Sequence, residues 1–116
     1  MNNLERQKRK WSLLNYFRPL TKVNVFNENL HNSWQHEKYK FAIYFTLRKQ
    51  GYDVITEGEF LNKKRCDIYC IDTNTCIEVL CSETKEECLE KCKCYPQEFR
   101  LVMNKAQETF NEKDIL

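Results

Sequence analysis

A mixed α/β (α+β) fold, with a central sheet of about four strands flanked by helices, is what the sequence predicts from three observations. Glycine and proline number only two each, too few for the many tight turns of an all-β protein. Before Gly51, apolar residues recur at helical spacing; after it, they come in short runs of strand formers separated by turn residues. With 116 residues, 41% of them hydrophobic and 13% aromatic, the chain suits a single core and a single domain.

Leu4, Trp11, Leu14 and Phe17 share one side of a first helix over 4–17, which Pro19 ends. The asparagine-rich stretch 20–32, with a brief Val23/Val25 alternation, reads as a connector or a short edge strand. Residues 1–30 are therefore expected to form an N-terminal helix and connector. Ser33 can cap a second helix in which Trp34, Tyr39, Ala42, Phe45 and Leu47 recur until Gly51 stops it. Three strands follow in YDVITEGEF, KRCDIYCID and CIEVLC, the last two joined by a turn over 72–75. Residues 83–94 read as a helix with Ser82 as N-cap, acids early and lysines late as the helix dipole prefers, ended by Tyr95-Pro96. FRLVM at 99–103 is the expected fourth strand, and 105–116 a short polar helix or tail.

No apolar run approaches the length of a membrane span, and the first residues lack the apolar core of a signal peptide. An intracellular protein with no membrane partner is expected. The seven cysteines are odd in number, so at least one thiol stays free. Buried thiols are the first reading; a zinc site using Cys88, Cys92 and Cys94 with His31 or His36, and a Cys66–Cys81 disulfide across the hairpin, are the alternatives. Trp11, Trp34, Phe41, Tyr44 and Phe45 could stack on bases, but at helical spacing they read as core. A net charge of +2 does not select a partner. The run Lys63, Lys64, Arg65 reads as a solvated surface or, because it precedes Asp67, as a phosphate-contacting edge.

Placing the turn at 72–75 sets Ile71 against Cys76, Tyr69 against Glu78 and Asp67 against Leu80. Asp67, Tyr69, Cys76, Glu78 and Leu80 then share one face, while Cys66, Ile68, Cys70, Ile77, Val79 and Cys81 take the buried one. Two carboxylates a diagonal step apart are costly to bury without a cation, so an oxygen-ligand site for Mg²⁺ or Mn²⁺ is expected at Asp67 and Glu78.

The helix with Glu37, the strand with Asp67 after a basic run, the hairpin to Ile77-Glu78-Val79, and the helix and strand that follow resemble the PD-(D/E)xK nuclease superfamily. That superfamily includes restriction endonucleases and archaeal Holliday junction resolvases. The segment from Arg65 to Tyr95-Pro96 also looks like the nuclease domain of competence-type CoiA proteins. The resemblance implies a restriction-endonuclease-like core over about 31–104, metal-dependent cleavage of DNA rather than RNA, a homodimer, and Glu37 as a third carboxylate. Leu80 stands where the family carries a lysine that positions the attacking water. Lys85, Lys91 and Lys93 on the next helix are the candidate replacements, Lys91 first. A domain that binds nucleic acid or a protein partner without cutting is the alternative.

Overall fold

The computed structural model describes residues 2–96 and 99–106. Helix α1 spans Asn3–Ser12, capped by the Asn2 side chain, which accepts from the Glu5 amide. A 3-10 turn over Leu13–Tyr16 replaces the last part of the expected helix. Helix α2 (Trp34–Lys49) starts at Ser33, whose hydroxyl accepts from the His36 amide as the sequence predicts. Strands β1 (Val54–Glu59), β2 (Arg65–Cys70) and β3 (Thr75–Leu80) form an antiparallel meander. Helix α3 (Lys85–Cys92) then crosses over to β4 (Arg100–Lys105), which lies parallel to β3 in a sheet of order β1-β2-β3-β4. The expected closing segment lies, from residue 107 on, outside the described residues. No helix among the described residues is long and apolar enough to cross a membrane.

The sheet carries a core on each side. Tyr39, Ile43 and Leu47 of α2 pack on Val54, Ile68, Cys70, Ile77 and Val79. On the other side, Phe17 and Phe60 join Tyr69, Cys76, Leu80, the α3 thiols Cys88 and Cys92, and Tyr95. The buried line of α2 is therefore His36, Tyr39, Lys40, Ile43, Thr46 and Leu47. Trp34, Phe41 and Phe45, expected in the core, are 80%, 46% and 51% exposed. Apolar spacing alone could not choose between two faces of a helix that is amphipathic in neither direction.

The 20–32 segment is a connector, and its asparagines explain its composition. The Asn24 backbone amide donates to the Val54 carbonyl and its side-chain oxygen accepts from the Val54 amide, while Asn27 donates its side-chain amide to the Thr56 carbonyl and its backbone amide to the Thr56 hydroxyl. Side chains thus close the outer edge of β1. At the far side of the same strand, a Cβ on Gly58 would meet Phe17 Cε1 at 2.7 Å and Ile55 Cγ2 at 3.0 Å. Phe17 is buried and stacked on Phe60 with ring centroids 4.8 Å apart, so it has nowhere to go. Gly58→Ala is expected to destabilise the fold by about 1–3 kcal/mol, read as a lower urea midpoint at unchanged slope.

All seven cysteines are free, with Cys81 and Cys94 exposed and the rest buried. Cys66 lies with Cys76 in the core beneath α3 and Cys81 lies near Ser33, so the two do not face each other across the hairpin.

Candidate functional site

The register of the β2–β3 hairpin differs from the expected one by two residues. Tyr69 pairs with Cys76 and Cys70 with Thr75, because the turn runs over residues 71–74 and Asn74 takes the left-handed conformation at φ 50°. Asparagine tolerates that region where threonine does not. Asp67 consequently comes level with Glu78 instead of Leu80.

The expectation that both acids share a face by simple alternation is also corrected. Glu57, opposite Asp67 on β1, has φ 51°, and both strands reverse their alternation there with no residue inserted in either. Thr56 and Ile68 are paired on the α2 side, yet Gly58 and Cys66, two steps on, lie with Phe17 and Cys76 on the other side. Glu57 and Asp67 are thereby turned toward α2, where Glu57 meets Lys40 and Asp67 meets His36. Glu78 keeps regular alternation and points toward α3 and Tyr95. The acids still meet, because the hairpin ladder stops at Ile68↔Ile77. Beyond it, the Asp67 amide donates to Glu78 Oε2 at 3.0 Å and the Val79 amide donates to Asp67 Oδ2 at 2.8 Å. Each side chain replaces a lost backbone partner of the facing strand.

Glu78 is fully buried. Burial first, then the Asp67 charge, pushes its carboxyl up to about 8, against the opposing pull of Lys91 and Tyr95. Burial works in the same sense on Asp67, but His36 and a hydrogen bond from Glu78 outweigh it and hold that carboxyl below its ordinary value. Of the two, Glu78 is the one that keeps its proton to higher pH. Tyr95 sits behind, its one hydroxyl proton contested by the Arg65 carbonyl at 2.6 Å and Glu78 Oε1.

His36, named in the sequence reading only as a possible zinc ligand beside the cysteines, instead bridges the site to α2. Its Nε2 lies 3.3 Å from Asp67 Oδ2 and its Nδ1 2.8 Å from Glu37 Oε2. Burial disfavours the charged ring, but Asp67 and then Glu37 more than compensate and raise its pKa. Both ring nitrogens then act as donors. A signal did exist: His36 stands four residues before Lys40 and seven before Ile43, on the buried line of the helix.

Glu37 is not brought to Asp67 and Glu78. Its oxygens take the Asn29 amide at 2.6 Å, Lys40 Nζ at 2.7 Å, Asn32 Nδ2 at 3.1 Å and His36 Nδ1. Its role here is to orient His36 and the connector. Lys91, by contrast, is brought in from α3, with Nζ 3.8 Å from Glu78 Oε1. The helix itself begins later than expected, capped by the Thr84 hydroxyl in place of Ser82. Lys63, Lys64 and Arg65 are exposed around the β1–β2 turn and do not line the cleft described next.

A cleft of about 570 Å³ opens over the site, with Asp67, His36, Lys91, Glu83, Cys81 and Ser33 among its walls. Two carboxylates give hard oxygen ligands of the kind Mg²⁺ and Mn²⁺ take. Among the described residues no group of three or more His, Cys, Asp or Glu is placed to hold a metal ion. A comparison with family models, curated proteins and solved structures finds no match to this chain.

Proposed function

We propose that the chain is a PD-(D/E)xK-like nuclease that binds Mg²⁺ or Mn²⁺ at Asp67 and Glu78 and hydrolyses phosphodiester bonds of DNA. Lys91 takes the place that Leu80 leaves without a lysine. The observation that supports this reading is the approach of Lys91 to Glu78 at the wall of a cleft that also presents Asp67. When bound, a divalent ion would polarise the scissile phosphate and acidify its water. Lys91 adds a positive charge beside the phosphate, His36 orients Asp67, and the Asp67 amide with Tyr95 holds Glu78. Lys63, Lys64 and Arg65 contact the backbone further along the duplex.

The test is incubation of branched, nicked and linear DNA with Mn²⁺, alongside Asp67→Ala and Lys91→Ala. Cutting that needs the metal and falls about 100-fold or more in either variant is the expected result. Because the ion must displace the Glu78 proton, Mn²⁺ should raise the melting temperature more at about pH 8.5 than at about pH 6, and not at all in Asp67→Ala.

Burial of Glu78, with protein groups at both its oxygens, favours a second reading: a domain that binds nucleic acid and no longer cuts it. Binding to DNA with no metal-dependent cleavage under any of these conditions would select it.

A further inference from the structure

Beside the carboxylate cleft lies a second hollow of about 460 Å³ that the proposed chemistry does not use. Phe26, Leu30, Trp34 and Phe41 form its apolar walls, Lys38 stands among them with Glu28 and Glu37, and Asn32 and Ser33 belong to both hollows. The aromatic floor is held in place: Phe41 meets Phe26 edge-on at 5.1 Å and leans on Tyr44 at 6.1 Å. Trp34 is different. It is 80% exposed in the first turn of α2 and makes no ring contact among the described residues. An indole held open over a rigid aromatic wall is a surface that favours a flat π-system, and Lys38 offers a contact to an anionic chain while the charge of Glu37 is already taken by Lys40 and His36.

We infer that this hollow takes an unpaired nucleobase, stacked on Trp34, from a strand whose backbone passes through the neighbouring cleft. The inference rests on the nucleic-acid reading of that cleft and narrows the substrate to DNA with a single-stranded segment, such as a flap, a gap or a branch. Three features favour a base over a second protein surface. The hollow is concave, it shares Asn32 and Ser33 with a cleft that presents Lys91, and the exposed rings are interleaved with lysines, as where Lys49 Nζ lies 5.6 Å from the Phe45 ring centre.

Trp11→Phe leaves Trp34 as the sole tryptophan reporter. Titrating that protein in metal-free buffer with a single-stranded oligonucleotide should quench its fluorescence, and an abasic strand of equal length should bind about 5- to 100-fold more weakly. Trp34→Ala, at an exposed position, should remove that preference and leave the fold intact by circular dichroism. Equal affinity for the two strands would overturn the inference. So would a Trp34 spectrum that changes with protein concentration alone, which would assign the face to a second copy of the chain. Quenching without any cutting would keep the base site and remove the nuclease; cutting with equal binding of both strands would do the reverse.

Discussion

Replacing Lys40 with alanine is expected to cost about 3–5 kcal/mol, because it leaves two acids without their cation in a dry part of the molecule. Lys40 is fully buried, with its Nζ 2.7 Å from Glu37 Oε1, 3.1 Å from Glu57 Oε2 and 3.0 Å from the Asn27 carbonyl, over the Phe26 ring. A loss of that size is a large share of the stability of a small domain, and for a chain of this length it corresponds to roughly 15–30 °C in melting temperature. Urea and thermal unfolding measure it. A triple variant, Lys40→Met with Glu37→Gln and Glu57→Gln, should recover much of the loss, since neutral groups tolerate burial far better. A change below about 1 kcal/mol for Lys40→Ala would show that the acids are solvated after all.

The second large effect concerns pH. Between 4.5 and about 8, folded Glu78 holds a proton that the unfolded chain has released, so stability falls as the pH rises through that window. The contribution is on the order of 3–5 kcal/mol. His36, raised above 6.5, acts in the same direction at the upper end. Asp67 and Glu37, both held below their ordinary values, lose their contribution on acidification instead. Stability should thus peak near about pH 5 and decline towards pH 8 and above. Glu78→Gln, neutral at every pH, should flatten the alkaline limb and be the more stable protein there. Parallel pH profiles for the two proteins would refute the buried proton.

What the sequence made legible was local. The Ser33 cap, the change of period after Gly51, the strand-former runs and the crossover helix all follow from short-range chemistry, and they suffice for the order of elements and the mixed sheet. Asp67, Glu78 and Lys91 could be singled out by residue type and position along that order. Their meeting depends on events that no spacing encodes: the left-handed Asn74 that shifts the register, the left-handed Glu57 where the alternation reverses and Asp67 turns toward α2, and the opened ladder that lets a carboxyl bind the opposite backbone. Lys40 does not stand out in the sequence, for a related reason: its buried place depends on Glu57, seventeen residues on in β1, which supplies a second acid beside Glu37.

The asparagine connector along β1 has one more effect. A sheet border whose hydrogen-bonding groups are already taken by its own chain is a poor template for a stranger's strand. Fibril-like stacking through that border is disfavoured at the Val54 amide and carbonyl, taken by Asn24, and at the Thr56 carbonyl, taken by Asn27.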